Sequence, residues 1–414
     1  FYCPLGGETP SMRVLITSSI YPTPEAPKIV GGAEIFVRRL AESLLDRGDS
    51  VEVIRAASVP DQKMETCNGI DVYSAPVENV YFPFTKPRSA PIRAIWHAME
   101  DWQKTAQMVA ARIQAFKPDI LHSNNLSGLT TGVWKTSSDL GIPVLHTLHD
   151  YYLTCPRCSR FSNGTACTHT CVSCKILTIN RRDTTKHLDA VVGVSQRILD
   201  IHTELGLFSD TPLRTVIRNA STADVGDKCT VSPDGTVTFG FIGRLAQEKG
   251  IYNLVQAVAA IPPRLIRLVI AGDVTESQQA HIKLLARNAR IDFLGFVPPS
   301  EFYEQVDVVV VPSVWEDPSP LVVADAQAAG KPLLGTRFGG IPEVIEQDVT
   351  GWLTAPDPES LTASILKIME SPRQIADISR RLKAGLNKWT FIDVVARYRD
   401  AFEHVRQSRE MAKS

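Results

Sequence analysis

Short apolar runs rich in valine, isoleucine and leucine alternate along the chain with longer stretches whose apolar residues recur every three or four positions. The first pattern suits strands buried on both faces, the second helices laid over them. A β-run at 13–19 leads into a Pro-rich loop over 20–30 and then Gly31-Gly32. A helix is predicted next, with Phe36, Val37, Leu40 and Leu44 on one face; Gly48 ends it and a strand follows at 51–55. That order predicts a right-handed crossover unit, the building block of a Rossmann-like half. Further strands are predicted at 119–122, 143–149 and 190–194, with a helix from 127 to 140. Between them, 79–116 shows a long helical pattern carrying Ile92, Ile95, Trp96, Met99, Trp102 and Met108. It is expected to pack on the sheet. The alternative is an acceptor-side or membrane-surface helix, because Lys86, Arg88 and Arg93 look exposed on it.

A run at 215–218 leads into a second half that restarts the alternation. Strands are predicted there at 237–242, 266–271, 291–293, 306–311 and 332–334, with helices at 251–260, 277–288, 361–369 and 391–411. Two successive β/α halves imply two domains facing across a cleft. We place them at 12–210 and 211–388, with a closing helical segment at 389–414.

Composition changes this picture little. A chain of 414 residues is too long for one ordinary core, which agrees with two domains. With 44 Lys and Arg against 45 Asp and Glu, no nucleic-acid partner is indicated. No apolar run approaches the length of a spanning helix, so at most peripheral membrane contact is expected. The first eleven residues have no clear period and no signal-peptide pattern; they read as an extension, and the chain as cytoplasmic, with the inner face of the membrane as a further location.

Candidate chemistry gathers at the predicted strand ends. After the Val-rich run 306–311 comes Glu316-Asp317 in a loop punctuated by Pro318 and Pro320. Ser319 is expected to cap a helix starting at Pro320 and continuing through Leu321, with Asp325 inside it and Gly330 beyond its end. Gly339-Gly340 then makes a tight turn before Pro342. A carboxylate at a strand's C-terminal end, followed by a helix N-terminus, describes the crevice where open parallel sheets bind ligands. After the run 237–242, Gly243 and Arg244 are followed by Lys249, another charged strand end. A departing nucleoside diphosphate develops negative charge, which a forked guanidinium and a mobile ammonium can neutralise without a metal. The chain contains no Asp-x-Asp pair. His149-Asp150 closes the strand at 143–149, with His146 on the same face as a weaker candidate. Gly31-Gly32 lets backbone approach a phosphate at a helix N-terminus.

Taken in order, these motifs resemble the retaining GT-B glycosyltransferases of family 4, the group 1 glycosyltransferases. The resemblance covers nearly the whole chain from Met12. It implies an α/β GT-B fold of two Rossmann-like domains, with the C-terminal helix returning to the first. It also implies transfer of a sugar from a nucleoside-diphosphate sugar to a sugar or lipid-linked sugar acceptor, in polysaccharide or glycoconjugate biosynthesis. Arg244 and Lys249 match the family's diphosphate motif, with Gly243 and Gly31-Gly32 in backbone approaches. Asp317 matches the first acidic position, holding donor-sugar hydroxyls, and Asp325 the second, holding the ribose; the family has glutamate at both. Ser319 and Leu321 fall in the same donor segment. Glu316 could replace Asp317 if the loop shifts by one residue, and is otherwise expected as a solvated neighbour. His149 matches the family histidine that contacts the donor sugar. Val194-Ser195 and Asn219 match two further family positions, and no catalytic metal is expected. The rivals are another GT-B enzyme, an epimerase or a phosphorylase, and a non-catalytic sugar-nucleotide-binding or metal-binding module.

Five of the eight cysteines fall within twenty residues. Cys155-x2-Cys158 and Cys171-x2-Cys174 offer two thiolate pairs for one structural zinc, with Cys167 and His169 between them. Cys167, Cys171 and Cys174 also allow an iron–sulfur reading. Free thiols or labile disulfides are the simpler outcome. Similar Cys-rich insertions after His-Asp-Tyr occur in some members of the resembled family, which implies a place on the acceptor side of the cleft.

Overall fold

A computed structural model of the chain describes residues 11–24, 31–58, 63–84, 88–100, 105–223, 236–385 and 389–411. Lys86, Trp102 and most of the N-terminal extension lie outside the described residues.

The first domain is built on an eight-stranded sheet. Its strands are β1 (Arg13–Ser18), β2 (Ser50–Ala57), β3 (Lys63–Cys67), β4 (Ile70–Pro76), β5 (Ile120–Ser123) and β6 (Val144–Leu148). A small separate hairpin, β7 (Phe161–Ser162) and β8 (Thr165–Ala166), interrupts the series before β9 (Ala190–Gly193) and β10 (Leu213–Val216) complete the sheet. The order is β10-β9-β6-β5-β1-β2-β4-β3, parallel except for the antiparallel edge strand β3. Seven helices accompany it: α1 (Gly32–Asp46), α2 (Ala90–Met99), α3 (Thr105–Phe116), α4 (Gly132–Asp139), α5 (Val172–Leu177), α6 (Ile179–Asp183) and α7 (Gln196–Glu204).

The second domain has six parallel strands: β11 (Val237–Ile242), β12 (Ile266–Ala271), β13 (Ile291–Gly295), β14 (Val308–Val311), β15 (Leu333–Thr336) and β16 (Gly351–Thr354). Their order is β13-β12-β11-β14-β15-β16. Counted within the domain this is the 3-2-1-4-5-6 order of a doubly wound sheet, which places its crevice between β11 and β14. All four residues of β14 are buried, as an uninterrupted valine run in a central strand requires. Helices α8 (Ile251–Ala259), α9 (Glu276–Ala286), α10 (Pro299–Glu304), α11 (Leu321–Ala328), α12 (Pro358–Met369) and α13 (Pro372–Lys383) complete this unit.

The last helix, α14 (Phe391–Met411), crosses back to the first domain. Val394, Tyr398, Phe402 and Val405 are buried there in one cluster with Val14, Ile16 and Phe36. At about 1.5–3 kcal/mol for each large apolar side chain removed from water, this packing is a substantial interdomain tie.

Three expectations are corrected here. The strand at 213–216 belongs to the first sheet as its edge, paired with β9, so the crossing to the second domain comes after it. The pattern over 79–116 divides into α2 and α3, and on α2 only Trp96 is buried, while Ile92, Ile95 and Met99 are exposed. Helix α11 starts at Leu321 with Pro320 as its cap residue; Ser319 does not cap it.

Candidate active site

The two most charged motifs meet at the crevice of the second sheet. The loop after β11 carries Gly243, Arg244 and Lys249, and the loop after β14 carries Glu316 and Asp317. Gly250 has φ +72°, and a Cβ there would lie 1.8 Å from the Pro312 carbonyl oxygen. Only glycine lets the two loops close on each other at that point. The result is a hydrogen-bonded ion pair, with Lys249 Nζ donating to Asp317 Oδ2 at 2.7 Å. Ser313 Oγ donates to the same oxygen at 3.0 Å, and Lys249 lies 5.3 Å from the centre of the Trp315 ring. Asp317 is buried, and those two donors satisfy the oxygen it turns toward them. Arg244 stays largely exposed, its guanidinium 3.5 Å from Glu248.

Across the cleft, α1 opens behind Gly31-Gly32, and Leu321 reaches this turn: a Cβ on Gly32 would sit 3.2 Å from Leu321 Cδ1. Glu34 in the first turn of α1 is buried, and burial raises its carboxyl pKa against backbone N–H donors, the Arg244 charge and Asn125. At the end of β6, His149 Nε2 lies 2.9 Å from Asn124 Oδ1, with its ring against Phe36. Burial lowers this imidazole to about 3, so it is neutral at ordinary pH. An amide oxygen only accepts, so Nε2 carries the proton and Nδ1 the lone pair. Asp150 is raised to about 6, chiefly by burial, while it accepts the Tyr152 N–H.

Asp325 is already engaged. Its Oδ1 accepts from Ser221 Oγ at 2.7 Å and from the backbone N–H groups of Thr222 and Ala223 at 3.1 and 3.3 Å, all in the interdomain connection. Ser319 contributes its carbonyl, which accepts from Asn219 at 3.0 Å. Ser319 lines a cavity of about 1450 Å³ on the hinge side, with Ser221, Arg218, Glu343 and Trp389; Asp325, Arg244, Lys249 and Asp317 are not in its walls.

Glu316 is not a solvated neighbour. It accepts from Arg197 Nε at 3.1 Å and Nη2 at 2.7 Å, and from the Gly339 N–H at 3.0 Å. Arg197 stands in the first turn of α7, in the other domain, so this carboxylate is spent on holding the cleft together. Glu343 strengthens the same junction by accepting from the backbone N–H groups of Gln196 and Arg197, at 2.9 and 2.8 Å. The Tyr151 hydroxyl donates to the Glu316 carbonyl at 2.8 Å, and its ring stacks on His202. Sequence reasoning missed Arg197 and Tyr151; the Arg197 position two residues past Ser195, at a helix start after a strand, was the available signal.

The four cysteines expected to share a zinc fall into two pairs. Cys155 and Cys158 sit with the hydrophobic core around Tyr151 and Tyr152, and the charges nearest the Cys158 thiol include Asp150 and Arg181. Cys171 and Cys174 lie outside that core with their sulfurs 3.2 Å apart. Among the described residues no three His, Cys, Asp or Glu side chains are grouped to hold a metal ion. Besides burial, the charge of Cys155 still reaches the thiols of Cys167 and Cys174 and raises both, so the two pairs lie on the same side of this insertion.

Known proteins point the same way as this geometry. Residues 30–217 match the family model Glycosyltransferase Family 4, and 236–371 match Glycosyl transferases group 1. An uncharacterised 42.6 kDa protein of the cps region of Klebsiella pneumoniae is 31% identical over 335 residues, covering 80% of this chain and 87% of that protein. Among solved structures, the sucrose-phosphate synthase of Thermosynechococcus elongatus superposes with a TM-score of 0.71 at 17% identity, covering 96% of this chain and all of that one. Anabaena Alr3699/HepE, in complex with UDP and glucose, gives 0.69 at 20% identity, covering 95% of this chain and all of that one. With its GT-B architecture and charged crevice, the chain belongs to the group 1 glycosyltransferases of family 4.

Proposed function

We propose that this glycosyltransferase takes its sugar from a nucleoside-diphosphate sugar and transfers it, with retention of configuration, to a hydroxyl of a sugar or lipid-linked sugar. The observation that carries the reading is the Lys249–Asp317 ion pair at the crevice of the second sheet, beside an exposed Arg244. An arriving diphosphate competes with Asp317 for Lys249. The ammonium shifts to the phosphates, and the released carboxylate accepts hydroxyls of the donor sugar. Arg244 adds a forked donor to the other side of the diphosphate.

Retention follows from a front-side displacement. The bond between the anomeric carbon and the phosphate oxygen breaks as the acceptor oxygen bonds to the same face of that carbon. The acceptor proton passes to the departing phosphate oxygen. His149, neutral and fixed by Asn124, is a polar contact for the sugar, and its protonated form plays no part near neutral pH. Charge stabilisation by Arg244 and Lys249 supplies the main rate effect. Replacing Arg244 with Ala should cost about 10²–10³-fold in turnover. The test is calorimetric titration with uridine, guanosine and adenosine diphosphates, with and without chelator, followed by NMR of the product's anomeric configuration. Binding that survives chelation and a retained configuration support the reading. A strict metal requirement for binding, or inversion, overturns it.

A further inference from the structure

The cavity of about 1450 Å³ on the hinge side takes its walls from both domains and from the connection between them. Arg39 of α1 and Arg397 of α14 stand on the first-domain side, and Lys383 at the end of α13 on the other. Arg218 belongs to the connection. Two carboxylates, Glu343 and Glu346, line the same space. Pockets that hold a small ligand usually measure about 300–1,000 Å³, so a nucleotide-sized molecule fits here with its water.

The charges in these walls do not balance. Glu343 is already engaged, accepting from the Gln196 and Arg197 N–H groups and from Arg218 Nη2 at 3.3 Å. That leaves Glu346 against Arg39, Lys383 and Arg397. Arg39 meets a ring, its guanidinium 6.0 Å from the centre of Phe391. Asp393, one turn before Arg397, is held by the Thr390 hydroxyl and N–H at 2.6 and 2.8 Å. All four cations are exposed, so a ligand reaches them without breaking a core contact. Like charges sharing one space repel, and a multiply charged anion among them relieves that repulsion. Guanidinium groups suit phosphate in particular, through paired N–H donors. Trp389 and Ile392 add exposed apolar surface to the same walls, with the indole N–H fixed on the Arg218 carbonyl at 2.9 Å. An anchored ring of this kind offers a platform beside the charge.

We propose that this cavity is a second anion site, which takes a small molecule carrying a phosphate or diphosphate beside an apolar or ring-shaped group. It is separate from the donor crevice, whose Arg244, Lys249 and Asp317 are absent from its walls. Its occupant touches both domains and the connection, so binding stabilises the folded chain. The inference goes beyond the glycosyl-transfer reading and does not depend on it, since its test needs neither donor nor acceptor.

The experiment is calorimetric titration of inorganic pyrophosphate into the full chain carrying Arg244→Ala and Lys249→Ala, which strips the donor crevice of its cations. One saturable site is expected to remain, with a matching rise in the unfolding temperature. Adding Arg39→Gln and Arg397→Gln should weaken that binding about tenfold or more, because each change removes a charged donor. Ala328→Trp, at the exposed end of α11 in the cavity wall, fills the space without altering a charge and should also weaken binding. It serves if the arginine pair fails to fold. Loss of all pyrophosphate binding in the folded starting variant overturns the proposal, since the donor crevice would then be the sole site. So does binding that salt weakens but that neither the arginine pair nor Ala328→Trp changes, which would be diffuse attraction to surface cations.

Discussion

Arg197 grips Glu316 through two hydrogen bonds, 3.1 and 2.7 Å long, from one domain to the other. The loop they connect carries Asp317, so cleft closure and placement of the donor-side carboxylate are one event. Arg197→Ala should therefore raise KM for donor and lower kcat together, while changing global stability by only about 0–1 kcal/mol, because the guanidinium is partly exposed. Small-angle scattering should show a wider molecule. An unchanged scattering profile with unchanged kinetics would mean that Glu343 and Tyr151 suffice to hold the cleft.

Asp317→Asn separates the sugar from the diphosphate. The variant removes the partner that holds Lys249 at 2.7 Å, leaving the ammonium to the phosphates. Nucleoside-diphosphate affinity should hold or rise, and turnover should fall sharply. Calorimetry and a transfer assay on the same preparation check this. Loss of nucleotide binding would show that Asp317 positions Lys249 and does not compete for it.

Asp150 predicts a pH-dependent stability difference. Burial raises its carboxyl to about 6 in the folded protein, above its ordinary value, so ionising it above that pH opposes folding. Its contribution is fully present below the unfolded value and is lost as pH rises through about 6. Asp150→Asn keeps the acceptor for the Tyr152 N–H and removes the charge. It should stabilise the protein by about 1–2 kcal/mol at pH 7.5, with the gain shrinking as pH falls from 6 toward 4. Thermal unfolding across that range is the measurement, and a pH-independent difference would remove burial as the cause.

Cys171 should be the most reactive thiol of the cluster. Hydrogen bonds from Ser173 and Cys174 lower it to about 7, whereas burial pushes Cys174 up to about 12. Alkylation of Cys171 should rise with pH through a midpoint near 7, ahead of the other described cysteines, as peptide mass spectrometry can follow. A zinc ion at this pair would block the reaction until a chelator is added, so metal content is measured alongside.

Much of the site was legible because parallel β/α units put ligand chemistry at strand ends, a position that apolar runs reveal. Lys249 and Asp317 follow β11 and β14, and the strand order then makes them neighbours. Arg197 and Glu316 were not legible as partners, since 119 residues separate them and their meeting depends on how two domains sit together. The α2 stripe shows a different limit. Helical spacing marks an apolar face but carries no sign of whether that face meets the sheet or the solvent. Cysteine spacing has a similar limit, because it fixes distance along the chain and not which thiols pack into the core, as Cys155 does beside Tyr151 and Tyr152.

The return of α14 to the first domain has a kinetic meaning. The second domain is inserted between the first domain's last strand, ending at Val216, and the helix that closes its core. During synthesis the face formed by Val14, Ile16 and Phe36 must wait for nearly two hundred further residues. At about 5–20 residues per second that interval is roughly 10–40 s. Throughout it, a sticky, half-built core is exposed on the ribosome. The vulnerable moment of this chain is its birth.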